Sequence, residues 1–276
     1  MKGILNYQLP EVAQLFNDTP FWSSLFGAVL LKHIPLAPRQ NILDIGFGTG
    51  FPLIELAQRV DSNSQVYGCD PWEQGITLTQ QKIKSLELAK VTIFKGSAEQ
   101  LPLNDNHIDL VSSNLSINNL EDPEVVLNEI NRVLKPNHFF CLTTNDETTF
   151  QELYQIFYQV SEEQNLSDLK IKFKQQATNR KNTESLRSLF KDCNFEEIQL
   201  IKEENHFSFT SGEALFDHSL IRIGFLENWL TLIPTSVQKD FVDYCITKID
   251  QHISNQGKFS INVPIFYFQL KNIKET

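Results

Sequence analysis

Cysteine is scarce in this sequence, which has four cysteines among 276 residues and no C-x-x-C pair. Zinc sites and disulfide frameworks both need cysteines at short or regular spacing. The isolated cysteines therefore predict reduced, mostly buried thiols, and no metal site is expected. They are Cys69, Cys141, Cys193 and Cys245.

Basic residues are also few. The sequence has 24 lysines and arginines and 34 acidic residues, so its net charge is −10. A protein that binds nucleic acid neutralises phosphates with clustered basic side chains. The sequence contains no basic tract. We therefore expect a small-molecule partner and no nucleic acid.

Long apolar runs are missing as well, although 41% of the residues are hydrophobic. No run approaches the roughly 20 residues that cross a bilayer, and the first residues lack the charged-then-apolar pattern of a signal peptide. The sequence thus predicts a cytoplasmic protein with no membrane partner. Its length permits one large domain or two small ones.

The most informative stretch is 41–52, which reads N-I-L-D-I-G-F-G-T-G-F-P. Its apolar start predicts a buried parallel strand, and Pro52 predicts the first turn of a helix. Glycines at every second position between them permit positive φ and leave the backbone open to a ligand. The helix N-terminus behind them offers unpaired N–H groups. The stretch therefore predicts a nucleotide-type site.

The spacing of the glycines distinguishes between nucleotides. The dinucleotide fingerprint G-x-G-x-x-G fails, because its third glycine would fall on Phe51 when counted from Gly46, and counting from Gly48 fails again. Asp44, at the end of the strand, would repel a pyrophosphate and favour a ligand that carries an ammonium and a sulfonium. An NAD-dependent oxidoreductase is therefore the disfavoured alternative.

In the form acidic-x-G-x-G-x-G, this stretch resembles the first motif of the class I S-adenosylmethionine-dependent methyltransferases. The resemblance implies S-adenosylmethionine as cofactor and a doubly wound α/β sheet of seven strands, mostly parallel with an antiparallel last strand. It covers roughly the first half of the chain well and the rest in outline. The cofactor-binding residues that it implies here are Asp44, Gly46, Phe47, Gly48 and Gly50.

A second strand, predicted over 65–69, ends in Asp70-Pro71-Trp72. An acidic residue about 20 positions beyond the glycines, at the end of the second strand, accepts hydrogen bonds from the ribose hydroxyls in doubly wound folds. We expect this role for Asp70, against the alternative of a helix N-cap. Trp72 either flanks the adenine or packs under the following helix.

The segment Gly96–Leu103 resembles the family's G-D-A-x-x-L-P-F stretch. The resemblance implies that Ala98 presents its backbone N–H to the adenine and that Ser97, in place of an acidic residue, accepts a hydrogen bond from its amino group. A serine hydroxyl accepts that bond without charge assistance. Glu99 belongs to the same predicted site.

Asn114 and Leu115 follow a strand predicted over 109–113. Ligands of open α/β sheets bind beyond the carboxyl ends of the strands, beside the first one. We expect Asn114 to face the donor and Asn118 to contact the substrate. The alternative is an ordinary polar loop.

The alternation of strands and helices up to residue 145 predicts a parallel sheet with right-handed crossovers. We interpret residues 1–276 as a single methyltransferase domain. Its parts are an N-terminal helical lid (1–40), a donor-binding core (41–145), the rest of the sheet (146–203 and 257–276) and a helical cap insertion (204–256). Pro264, inside the last predicted strand, indicates a bulge or an edge position.

The predicted lid and cap contain the candidate acceptor contacts. Trp22, on a helix predicted over 21–34, either lines the pocket or packs on the sheet edge. His218 and Arg222 share one face of a predicted helix with Leu215 and Phe225, at the i, i+4 spacing that brings side chains together. They are expected to bind an acidic or polar acceptor, unless His218 makes only a structural hydrogen bond.

Transfer of a methyl group from a sulfonium needs mainly alignment and desolvation. The catalytic residue is therefore unassigned, with His206 and His218 as candidates. We expect methylation of a small organic acceptor, with O- or N-methylation favoured by family analogy, in a monomer or homodimer. A protein that binds the donor without turnover is the alternative from a different class.

Overall fold

The computed structural model describes residues 2–275. The chain divides into two compact units. The sheet unit comprises Pro20–Thr144, Asn182–Lys202 and Ile265–Thr276. The helix-rich unit comprises Met1–Thr19, Asn145–Lys181 and Glu203–Pro264.

The strands are β1 (Asn41–Ile45), β2 (Gln65–Asp70), β3 (Val91–Lys95), β4 (Ile108–Asn114), β5 (Leu134–Thr144), β6 (Phe195–Phe209) and β7 (Phe259–Asn272). They form one seven-stranded sheet in the order β3-β2-β1-β4-β5-β7-β6. The pairs from β3 to β5 are parallel, and β7 is antiparallel to β5. The predicted mostly parallel sheet with an antiparallel last strand is confirmed.

The helices are α1 (Pro10–Asp18), α2 (Phe21–His33), α3 (Leu53–Arg59), α4 (Glu73–Ser85), α5 (Pro123–Val133), α6 (Gln151–Glu163), α7 (Ser167–Thr178), α8 (Thr183–Asp192), α9 (Gly212–Asp217), α10 (Ser219–Gly224), α11 (Leu226–Leu230) and α12 (Gln238–Gln256). Within residues 2–275, none of the helices combines the length and the apolar character that crossing a bilayer requires.

The order of the strands reverses at β1, which pairs with β2 on one side and β4 on the other. Ile42 and Leu43 are fully buried, as expected for a central parallel strand covered on both faces. Asp44 lies in register with Gly68 of β2 and Ser112 of β4. A carboxylate therefore lies on β1, at the place where the order of the strands reverses.

One helix, α7, lies where the sequence predicted no helix. In α7, Leu169, Phe173 and Ala177 are buried at intervals of four residues. That spacing is the signal of an amphipathic helix. The polar residues between these three obscured the pattern.

The helix predicted to join Leu215 to Phe225 is wrong, because the backbone breaks at His218. This residue adopts an extended conformation (φ −62°, ψ 133°) between α9 and α10. Its Nδ1 accepts a hydrogen bond from the N–H of Leu220 at 3.3 Å. His218 is thus an N-cap, a role in which a side-chain acceptor satisfies a free helix N–H.

The last two strands also differ from expectation. β6 continues to Phe209, beyond residue 203, after which the cap insertion was predicted to begin, and both β6 and β7 have residues in the two units. β7 lies between β5 and β6 in the sheet, so the prediction of a bulge or an edge position for Pro264 depends on where these pairings end. Pairing with β5 runs from Phe266 to Lys271. Pro264 lies outside that stretch, so its missing N–H removes no bond to β5.

The helix-rich unit has an aromatic core. The ring of Phe173 lies 4.8 Å from that of Phe157 and 5.6 Å from that of Phe241. Trp229 is 2% exposed and donates a hydrogen bond from Nε1 to the Tyr154 hydroxyl at 3.2 Å. Trp229 therefore belongs to the core of this unit.

Two buried asparagines hold the end of α5 to β7 in the sheet unit. Asn272, fully buried, donates from Nδ2 to the carbonyls of Leu134 (2.9 Å) and Asn131 (3.2 Å). Asn131 donates in return to Asn272 Oδ1 at 2.9 Å. Lys274 Nζ donates to the carbonyl of Arg132 at 2.9 Å. These bonds satisfy carbonyls that a helix end leaves without partners.

We expect Asn272→Ala to lower the free energy of unfolding by roughly 2–3 kcal/mol, because it removes the buried bonds from Nδ2 to the Leu134 and Asn131 carbonyls and one acceptor of the Asn131 amide. Urea titration measures the change. Asn104→Ala is the matched control, since Asn104 is exposed and a surface substitution changes stability by about 0.5 kcal/mol or less. Equal losses in the two variants would contradict the network's role.

Candidate functional site

The glycine turn after β1 needs glycine for its backbone conformation. Gly46, Gly48 and Gly50 have φ values of +73°, +54° and +103°. A Cβ on Gly46 would lie 2.0 Å from Ser116 Oγ, whereas a Cβ on Gly48 would have no atom within 4 Å. The turn is therefore packed at Gly46 and open at Gly48, where a ligand can approach the backbone.

Side chains of α4 and β2 hold this turn in place. Asp70 Oδ2 accepts a hydrogen bond from the N–H of Gly48 at 2.7 Å. Thr79 Oγ1 donates to the Gly48 carbonyl at 3.2 Å, and Lys82 Nζ donates to the Thr49 carbonyl at 2.6 Å. The conformation of the turn is thus fixed by its neighbours as well as by its own glycines.

Asp44 is a buried carboxylate with one oxygen unsatisfied. It is fully buried, and its Oδ1 accepts a hydrogen bond from the Ser112 hydroxyl at 2.6 Å. Its Oδ2 has no hydrogen-bond partner within normal distance and angle. Burial, with a contribution from the charge of Asp70, raises the pKa of Asp44 to about 7, although the Ser112 hydroxyl and the N–H of Leu53 oppose this shift. A cationic group is the natural partner for such an oxygen.

Asp70 lies at the carboxyl end of β2, where the sequence placed it. Its Oδ1 accepts from the N–H of Trp72 at 2.7 Å, so each oxygen already has one backbone partner. Burial raises the pKa of Asp70, although the N–H groups of Gly48 and Trp72 oppose this shift. A carboxylate has about four acceptor positions. Two acceptor positions therefore remain beyond these backbone bonds, and the ribose role of Asp70 stays a prediction.

Trp72 and the segment after β3 complete this edge of the sheet unit. Trp72 is half-buried and Pro71 is exposed. Ala98 is buried, while Ser97 and Glu99 are exposed. Ser97 Oγ accepts from the Glu99 N–H at 3.3 Å, so its side chain stabilises a local turn.

Phe47 and Asn114 have structural partners in the sheet unit. Phe47 is 1% exposed, and a Cβ on Gly68 would lie 2.7 Å from its ring. Phe47 therefore packs over β2, and only its backbone is available to a cofactor. Asn114 donates from Nδ2 to the Ser23 carbonyl at 3.0 Å and accepts from Thr143 Oγ1 at 2.7 Å. Its amide joins the start of α2 to the strands.

The neighbours of Asn114 follow the same pattern. Asn118 Nδ2 donates to Thr144 Oγ1 at 2.9 Å. Leu115 has a φ of +67° and donates its N–H to the Thr143 carbonyl at 3.0 Å. Trp22 is half-buried on α2, with its ring 5.0 Å from that of Phe26. Donor or substrate contacts by these residues stay predictions.

Comparison with known proteins agrees with this geometry. Residues 43–142 match a family model described as a methyltransferase domain, and they contain the glycine turn, Asp70 and the segment after β3. Residues 43–142 are a methyltransferase domain. The resemblance to the class I enzymes is confirmed for this part of the chain, as is S-adenosylmethionine as the cofactor of the domain.

A demethylmenaquinone methyltransferase of Geobacillus kaustophilus is 33% identical over 132 residues, which are 47% of this chain and 56% of that protein. The chain thus spans about half the length of the curated relatives that it matches. A SAM-dependent methyltransferase from Aquifex aeolicus has a similar fold, with a TM-score of 0.54 and 19% identity over 70% of this chain and 92% of the other.

The same fold also occurs in a [4+2]-cyclase, SpnF, with a TM-score of 0.57 and 17% identity over 91% of this chain and 81% of that one. A shared fold does not by itself determine the reaction. The side chains of the methyltransferase domain therefore have to support the functional argument.

The candidates His206, His218 and Arg222 belong to the helix-rich unit. His206 is exposed on β6. His218 caps α10, its ring lies 5.7 Å from that of Phe209, and burial lowers its pKa. Arg222 Nε donates to the Gly3 carbonyl at 2.8 Å. Both members of the predicted pair thus have structural partners, and their roles in substrate binding or catalysis stay predictions.

Sequence reasoning missed three residues that support the site of the methyltransferase domain: Ser112, Thr79 and Lys82. A signal for Ser112 was present, because Ser112-Ser113 interrupts an otherwise apolar buried strand. Thr79 and Lys82 gave no signal. They reach the turn only because α4 packs against it at Gly75, where a Cβ would lie 2.6 Å from the Gly48 carbonyl oxygen.

The free energy of unfolding of the wild type minus that of Asp44→Asn should fall as the pH rises from about 4.5 to about 8. The folded-state pKa of about 7 lies above the ordinary aspartate value of 3.8, so over this range the folded protein holds a proton that the unfolded chain has lost. That contribution is fully present below the unfolded pKa and is lost as pH rises through the folded pKa. The shift corresponds to about 4 kcal/mol at most.

Urea titrations at the two pH values measure this difference. Asp61→Asn is the control, because backbone N–H bonds led by that of Arg39 lower the pKa of Asp61. Its contribution is present above the unfolded pKa and is lost only as pH falls below about 4, so this control should show almost no trend between the two pH values. A pH-independent difference between the wild type and Asp44→Asn would show that Asp44 stays ionised in the folded protein.

Proposed function

We propose that this protein transfers a methyl group from S-adenosylmethionine to a small organic acceptor, at an oxygen or nitrogen atom. The observation that supports this most directly is the buried, unpaired Oδ2 of Asp44 beside a glycine turn that is open at Gly48. S-adenosylmethionine supplies an activated methyl group on a sulfonium. The residues around it therefore have to bind, orient and desolvate.

Electrostatics favour a cationic ligand at this turn. Asp44 and Asp70 are both buried, and a pyrophosphate would be repelled by two carboxylates. An ammonium would offer Oδ2 of Asp44 the hydrogen bond that it lacks. It would also favour the ionised form of Asp44 and return its pKa toward the usual range of a carboxylate.

The remaining parts of the donor have candidate partners in the same unit. Asp70 retains acceptor positions for both ribose hydroxyls. The N–H of Ala98 and the hydroxyl of Ser97 are the proposed partners of the adenine. Trp72, half-buried at the start of α4, is proposed to flank the ring.

The acceptor is defined only as a class. The curated relatives are named for demethylmenaquinone, but the match to the Geobacillus protein covers 47% of this chain. We propose a small-molecule acceptor, with no nucleic-acid or membrane partner and a cytoplasmic location, because net charge and composition favour these. The candidate contacts to it are Trp22, Asn118, His218 and Arg222.

Calorimetry on the full chain tests the proposal, with S-adenosylmethionine, S-adenosylhomocysteine and NAD as ligands. We expect both adenosyl compounds to bind and NAD to bind at least about 100-fold more weakly, because of carboxylate repulsion. Methyl transfer from labelled donor is then measured with phenols, amines, carboxylates and quinols. Tighter binding of NAD would overturn the proposal, and donor binding without transfer to any acceptor would favour a protein without turnover.

We expect Asp70→Ala to weaken S-adenosylmethionine binding by roughly 100-fold or more, since hydrogen bonds to a charged group contribute about 1.5–3 kcal/mol each. Asp61→Ala is the matched control. Asp61 also accepts hydrogen bonds from two backbone N–H groups, those of Arg39 (2.8 Å) and Asn63 (2.7 Å). It precedes β2, however, and so lies at the amino end of that strand, whereas Asp70 lies at the carboxyl end. Donor affinity should survive in that variant, and equal losses would remove the ribose assignment.

A further inference from the structure

The segment from Ser97 to Leu103, which we propose to contact the adenine, has little hydrogen bonding of its own. Its internal backbone bonds join Gln100 to Ser97 (3.4 Å) and Leu103 to Leu101 (2.8 Å). Among residues 2–275, the long-range hydrogen bonds to this segment come from two side chains of α5. They are Glu129 and Arg132.

These two side chains form hydrogen bonds with both backbone polar groups of Leu101. Glu129 Oε1 accepts from the N–H of Leu101 at 2.7 Å. Arg132 donates from Nη2 to the Leu101 carbonyl at 3.2 Å and from Nη1 to the Leu103 carbonyl at 2.9 Å. Leu101 is 3% exposed. The backbone N–H and the backbone carbonyl of one buried residue are therefore both fixed by α5.

Glu129 and Arg132 also fix each other. Arg132 donates to Glu129 from Nε and from Nη2, each at 2.7 Å, and Nη1 donates to Asp105 Oδ1 at 2.6 Å. Such a fork-to-carboxylate pair restricts both side chains to one geometry. The guanidinium of Arg132 lowers the pKa of Glu129, so the pair stays charged near neutral pH.

We propose that Glu129 and Arg132 are positioning residues that set the backbone of Ser97 and Ala98 for adenine and so determine the preference for adenine over other purines. This inference rests on the proposed function. A backbone N–H placed to meet an acceptor nitrogen of adenine faces an N–H in hypoxanthine. A site that holds its polar groups rigidly therefore rejects the wrong base more strongly than a mobile one.

Calorimetry with S-adenosylhomocysteine and S-inosylhomocysteine tests this inference. We expect the wild type to prefer the adenosyl compound by about tenfold or more, and Arg132→Met to reduce that ratio at least about fivefold. Arg132→Lys keeps the charge but not the fork, so its ratio should be intermediate.

Arg187→Met is the matched control. Arg187 forms a similar fork with Glu197, at 2.8 and 2.9 Å, in the same unit. The ratio of the affinities of Arg187→Met for S-adenosylhomocysteine and S-inosylhomocysteine should equal that of the wild type. In hydrogen exchange without ligand, residues 97–103 should lose protection in Arg132→Met and keep it in Arg187→Met.

The outcomes separate the two proposals. A wild type that binds neither compound would overturn the proposed function, and this inference with it. A wild type that binds with a clear adenosyl preference, together with an unchanged ratio in a folded Arg132→Met or Arg132→Lys, would overturn this inference alone. An equal loss of affinity for both compounds would likewise show a structural role without base selection.

Discussion

Two carboxylates, Asp44 and Asp70, are buried on adjacent parallel strands at the point where the order of the strands reverses. Removing both from water is costly, and the charge of Asp70 makes ionisation of Asp44 harder still. Asp70 uses its charge to bind the backbone of the turn, while Asp44 keeps one oxygen unpaired.

The glycine turn between these carboxylates depends on several elements at once. β2 holds the Gly48 N–H, α4 holds the carbonyls of Gly48 and Thr49, and β4 leads into Ser116, which packs against Gly46. Glycine makes the conformation possible, but tertiary contacts select it from the many that glycine permits. A site fixed in this way loses little further entropy when a ligand binds.

The polar side chains outside the turn serve mainly to join elements. Asn114 ties α2 to β5, His218 caps α10, and Arg222 binds the chain near Gly3. Any contact that these residues make with an acceptor has to coexist with those bonds. The fold itself does not decide among reactions, because a [4+2]-cyclase shares it.

The sequence by itself determined the order of strands and helices from β1 to β5, the glycine turn and the position of Asp70. Each of these depends on local patterns: apolar runs, glycine spacing and proline at a helix start. Tertiary structure alone decided which side chains support the turn, and that Glu129 and Arg132 hold the segment after β3. These contacts join residues far apart in the chain, and no local pattern records which helix will pack against which loop.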